Sequence, residues 1–169
     1  FILQHCDLSQ NPAIKLILSA LNVISSNWRH SDVITYIKTG LTGIEENECD
    51  ILEDYAATWQ ISGSRWYDGH EWEMNPDGYS DTFTKRGELI LKVVNDAKIR
   101  LSEPLIRLGE KFSGYITVRD ATIAIFDYIT DVKLKEYLLS NSENGVQIWN
   151  LILDVLDELR EKCPWDRKQ

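Results

Sequence analysis

From Asn11 to Gln60 apolar residues recur every three or four positions, the period of helices that each bury one stripe. Asn11-Pro12 is a strong opening, a capping acceptor followed by proline at the first helical position. Ile14, Ile17, Leu18, Leu21 and Ile24 then share a face. Asn27 to His30 reads as a short turn. Ser31 and Asp32 offer caps for a second helix with Val33, Ile34, Ile37 and Leu41 on its apolar side, and Gly40 and Gly43 bracket its end. A third helix is expected from Glu45 to Gln60, with Ile44, Cys49, Leu52, Tyr55, Ala56 and Trp59 along one face.

The period lapses between Ile61 and Asp81. Ser62-Gly63-Ser64 and Asn75-Pro76-Asp77-Gly78 are turn sequences, and Trp66, Tyr67, Trp72 and Tyr79 are interleaved with them. So long a connection is uncommon in a compact domain, and its aromatics predict that it is pinned to the rest. Helical spacing returns from Thr82 to Lys111, carried by Leu89, Ile90, Val93, Val94, Ala97, Ile99, Leu101 and Leu105. Pro104 is expected to kink or split this helix near Ser102, which would cap the second half. Ser113-Gly114 ends it. Thr117 caps a further helix bearing Val118, Ala121, Ile125, Tyr128 and Ile129, and Lys133 to Ser140 gives a short one. The last uses Ile148, Ile152, Val155, Leu156 and Leu159 and stops before Pro164. No repeat and no sustained two-residue alternation appears. The expectation is an all-α, irregular helical bundle of about six to seven helices with one long aromatic-rich loop. Residues 1–169 are read as one helical domain: an opening segment 1–10, a helical cluster 11–60, the loop 61–81 and long helices 82–163.

Charge narrows the function. The 169 residues carry a formal net charge of −9, and 43% are hydrophobic, enough to bury a core. So acidic a surface opposes tight binding to phosphate backbones. Cys6, Cys49 and Cys163 are odd in number and far apart, which favours reduced thiols in the cytoplasm over a disulfide framework. No run reaches the ~18 apolar residues of a membrane span. A chain that begins at Phe1 and closes on Asp166-Arg167-Lys168-Gln169 is read as a segment excised from a longer protein.

Candidate chemistry is sparse. His5, Cys6, His30, Cys49, His70 and Cys163 lack zinc-site spacing, and His70-Glu71-Trp72-Glu73-Met74 has a methionine where a metalloprotease motif needs its second histidine. Asp68, Glu71, Glu73, Asp77 and Asp81 crowd the loop without the alternation of a calcium loop. There is neither a nucleophile elbow nor a Gly-rich phosphate loop. No catalytic, cofactor or metal residue is therefore assigned. The weak candidates for nucleic-acid contact are Arg29, Arg65, Trp66, Lys85 and Arg86, where basic residues adjoin one another or a tryptophan. Packing of Trp28, Trp59 and Trp66 between helices is the favoured alternative.

Several segments resemble one family. Phe1-Ile2, Asn11-Pro12-Ala13-Ile14-Lys15-Leu16-Ile17, Ser26-Asn27-Trp28-Arg29 and Tyr36-Ile37-Lys38-Thr39-Gly40-Leu41 are similar, in this order, to the AddB-type subunit of a bacterial ATP-dependent helicase–nuclease. Leu52-Glu53-Asp54-Tyr55 and Ile61-Ser62-Gly63-Ser64-Arg65-Trp66 continue the likeness, which covers about the first 70 residues. The resemblance implies a non-catalytic helical insertion in the second motor domain of such a subunit. Its parent would use ATP and magnesium, hold an iron–sulfur cluster, and work with an AddA-like partner on double-strand breaks. DNA would then be met through the parent complex. A protein–protein interaction module unrelated to DNA is the alternative, and a free-standing enzyme the third reading.

Overall fold

The computed structural model describes residues 10–162. Seven α-helices follow in order: α1 Pro12–Ser25, α2 His30–Ile37, α3 Glu46–Thr58, α4 Lys85–Lys111, α5 Val118–Asp131, α6 Leu134–Asn141 and α7 Gly145–Lys162. A single 3₁₀ turn, Gly63–Trp66, interrupts the connection between α3 and α4. No strand occurs among the described residues, so the chain is all-α as its periodicity predicts. Phe1 to Ser9, with His5 and Cys6, lies outside the described residues, as does Cys163.

Local sequence explains most boundaries. The Asn11 side chain accepts from the Ala13 N–H, with Pro12 at the first helical position of α1. Glu48 reaches back to the Glu45 N–H at 3.0 Å to start α3. Thr117 and Asp120 form a reciprocal capping box on α5. At α2 the expectation fails: Arg29 is the N-cap and makes no side-chain bond there, while Ser31 and Asp32 lie inside the first turn. An acidic side chain there still faces the positive helix end.

The contacts divide the chain into two compact units, Phe1–Glu103 and Pro104–Gln169. In the first, α2 packs on both α1 and α3. Leu16, Ala20, Val23, Val33, Ile37, Leu52, Ala56, Ile61 and Trp66 are fully or almost fully buried there. In the second, α5, α6 and α7 pack on one another in all three pairs. Their core includes Ala124, Tyr128, Ile129, Leu134, Leu138, Trp149 and Ile152.

Helix α4 runs unbroken from Lys85 to Lys111, with Pro104 inside it. Ser102 caps nothing. Its hydroxyl donates back to the Lys98 carbonyl at 2.7 Å, a bond compatible with continued helix. Proline removes one helical donor, the one the Arg100 carbonyl would have received, and Arg100 is an exposed residue whose carbonyl water can serve. The buried stripe also differs from the expected one. Leu89 and Ile99 are exposed, while Asn95, Lys98 and Ser102 are buried beside Val94, Ala97 and Leu101. On α7, similarly, Val155 and Leu159 are exposed, and Trp149 joins Ile152 inside.

Candidate functional site

Two turns distant in sequence meet in the first unit. After α1 the chain passes through Asn27 and Trp28, both at positive φ (54° and 57°), a left-handed conformation costly for a side chain as large as tryptophan. Bonds on both sides hold it there. The Trp28 N–H donates to the Val23 carbonyl at 2.8 Å, and the Trp28 carbonyl accepts from the Gly63 N–H at 2.9 Å. Gly63 is itself at φ +63°, where glycine carries no penalty. The Tyr67 hydroxyl donates to Asn27 Oδ1 at 3.1 Å, and the Trp28 and Tyr67 rings lie 5.1 Å apart. His30 Nδ1 lies 3.1 Å from the Ile61 carbonyl. The Asn-Trp-Arg and Gly-x-x-Trp segments thus form one corner.

From this corner a row of aromatic pairs extends under the loop. Trp66 and Trp72 meet edge to face at 5.1 Å, Trp72 stacks on Tyr55 at 5.4 Å, and Trp59 meets Tyr79 edge to face at 5.0 Å. Burial pushes the Tyr55 hydroxyl up to about 12, and its proton bonds the Met74 carbonyl. Tyr79 is 88% exposed at the outer end of the row.

Polar side chains fasten the loop at three points. Asn95 of α4 accepts from the Trp72 N–H at 2.8 Å and donates to the Trp72 carbonyl at 2.9 Å. Asn75 donates to the Ser80 and Thr82 carbonyls and accepts from the Asp77 N–H, which closes the turn on itself. Its own carbonyl takes the Trp59 indole N–H. Because Thr82 is tied to Asn75, α4 starts at Lys85 rather than at Thr82, and the Thr84 hydroxyl accepts from the Gly87 N–H.

Lys98 is the third fastening, its side chain only 5% exposed. Its ammonium donates to the His70 carbonyl at 2.6 Å, lies 3.4 Å from Asp68 Oδ1, and sits 5.0 Å from the centre of the Trp72 ring. Burial pulls the Lys98 amine below its ordinary value, and the Asp68 carboxylate opposes that. Burial also disfavours the Asp68 carboxylate, yet the His70 N–H and Lys98 together hold its carboxyl below the usual value. A buried lysine is a candidate base or nucleophile in principle. Here a carbonyl, a carboxylate and an indole face surround it.

The five sequence candidates fare differently. Trp66 is 0% exposed, so its ring has no face to offer a base and it is corrected to a core residue. The Arg65 guanidinium is taken up by the Trp59 carbonyl and the Met74 sulfur, a structural cross-tie. Arg29 is exposed at the corner, with Asp32 3.8 Å from its Nε. Lys85 and Arg86 are exposed in the first turn of α4. The structure brings Arg65 and Trp66 together on the 3₁₀ turn, beside the corner that carries Arg29, and keeps Lys85 and Arg86 apart in sequence and element.

Asn75, Asn95 and Lys98, which organise the loop, carry no motif. One signal was available: Asn95, Lys98 and Ser102 interrupt the apolar stripe of α4 at helical spacing, and polar groups at buried positions require partners. Among the described residues no three His, Cys, Asp or Glu side chains gather as a metal site requires. Asp77 instead accepts from the Thr84 hydroxyl, and Cys49 lies beside the Ile44 carbonyl. Burial, then Asp50, Glu48 and Glu46, push the Cys49 thiol up, away from the reactive thiolate. No described helix is long and apolar enough to cross a membrane.

Comparison with known proteins extends the likeness well beyond the first turns. No family model matches the chain. Curated relatives do, over 95% of it. A protein of Ruminiclostridium cellulolyticum is 29% identical, one of Clostridium botulinum strain Langeland 28%, and one of Caldanaerobacter subterraneus subsp. tengcongensis 29%. All three are named as the AddB-type subunit of an ATP-dependent helicase/deoxyribonuclease, and the chain spans about 15% of their length. Over nearly its whole length, then, this chain is homologous to one stretch of the AddB-type subunit that its turns resemble.

Proposed function

We propose that the chain is a non-catalytic helical subdomain of the AddB-type subunit of an ATP-dependent helicase/deoxyribonuclease, the helical insertion of its second motor domain. It would act by position, as a firm helical body that shapes the DNA path and subunit contacts while double-strand breaks are processed for recombinational repair. ATP, magnesium and the iron–sulfur cluster would belong to other parts of the parent, the partner would be an AddA-like subunit, and the compartment the cytoplasm.

The observation that carries this reading is the match over 95% of the chain to relatives bearing that name. The structure supports it in one further respect. The polar side chains that converge on the loop, Asn75, Asn95, Lys98 and Arg65, are engaged by backbone groups of the chain itself, as scaffolding residues are.

The test is an immunoblot of the source cells with antibody raised against the 169-residue chain. The expected band lies far above 19.5 kDa and co-fractionates with ATP-dependent exonuclease activity. A band near 19.5 kDa, free of that activity, would refute the subdomain reading and favour an independent interaction module.

A further inference from the structure

In the second unit α5 and α7 leave a groove of about 290 Å³ between them, lined by Thr122, Ile123, Phe126, Leu153 and Leu156. Ile123 and Phe126 are 46% and 42% exposed, large apolar groups held half out of the core. Asp154, Asp157 and Glu161 follow at helical spacing along the α7 edge of this groove. Asp157 pairs with Arg160 at 3.0 Å. Among the described residues no cation pairs with Asp154 or Glu161.

We infer that this groove docks an amphipathic helix with a basic flank: its apolar stripe would enter between α5 and α7, and its Lys or Arg residues would lie along Asp154 and Glu161. Helices recognise such grooves through apolar anchors one turn apart, and opposite charge at the rim fixes their register. The acidic edge argues against other occupants. A second copy would set like charges against each other, and an anionic membrane or a phosphate backbone would be repelled. The inference does not depend on the parent being a helicase–nuclease.

The experiment titrates the 169-residue chain into two labelled synthetic peptides with the same leucine stripe, one flanked by lysine and one by glutamate, and reads fluorescence anisotropy. The lysine peptide is expected to bind at least about tenfold more tightly than the glutamate one. Phe126→Ser should weaken it about tenfold. The double reversal Asp154→Lys with Glu161→Lys should do the same, and because both residues are exposed it leaves the fold intact, which circular dichroism checks. Reversing Glu71 and Glu73, on the loop of the other unit, should change affinity by less than about twofold. Equal weakening by the loop reversals would reveal bulk attraction to an acidic protein and overturn the inference. So would indifference to the groove variants, equal binding of both peptides, sedimentation as a dimer broken by Ile123→Arg, or retention on anionic vesicles.

Discussion

The side chain of Asn95 pairs with both backbone groups of Trp72, as a neighbouring strand would: the Trp72 N–H reaches Oδ1 at 2.8 Å, and Nδ2 reaches the Trp72 carbonyl at 2.9 Å. One carboxamide thus replaces the secondary structure that the loop lacks. Asn95→Leu keeps the volume and strands both peptide groups beside a buried tryptophan. A loss of about 2–4 kcal/mol in urea unfolding is expected. A loss below about 0.5 kcal/mol would mean that the loop is held by its aromatics alone.

Gly145 opens α7 against the end of α6. A methyl group there would stand 2.0 Å from the Leu138 carbonyl oxygen and 2.5 Å from its carbon, both backbone atoms. Helix propensity alone makes Gly→Ala favourable by about 1 kcal/mol. Gly145→Ala should instead destabilise by at least about 2 kcal/mol, because backbone cannot move aside as a flexible side chain does. Thermal unfolding reads the sign directly, and a raised midpoint would refute the close approach.

Acid should loosen the first unit through two carboxyls. Burial disfavours ionised Glu48, but Arg100 and the Glu45 N–H outweigh it and hold its carboxyl below the ordinary 4.5. Asp68 is likewise held below 3.8 against burial, by the His70 N–H and Lys98. A carboxyl lowered in the folded state binds fewer protons there than in the unfolded chain. Its stabilisation is complete above the ordinary value and is lost as pH falls through the lowered one. Unfolding free energy should therefore decline below pH 4.5, and Arg100→Gln should flatten part of that slope. An unchanged slope would remove Glu48 from the account.

Alkali should act through Tyr55, which is pushed up to about 12 by burial. The folded state keeps this proton when the unfolded chain, at its ordinary 10, has lost it, so stability falls as pH rises from 10 towards 12. Absorbance at the phenolate band should show one late step that Tyr55→Phe removes. Titration of all tyrosines near 10 would contradict the buried bond to Met74.

The helices were legible because each is a local matter: caps such as Asn11 and Thr117 and a three-to-four-residue apolar period act within a few residues. Charge, the lack of catalytic motifs and the likeness of the turns to AddB-type subunits also lie in the sequence itself. Tertiary structure decided the rest. Pro104 looked like a breaker, yet the helix tolerates it where the missing bond falls on the exposed Arg100. Lys98 and Asn95 looked like solvent-facing residues of an amphipathic helix, yet they are buried because an 18-residue stretch, 67–84, lies over that face and presents its carbonyls to them. Periodicity says which residues share a face, and only the folded chain says what covers it.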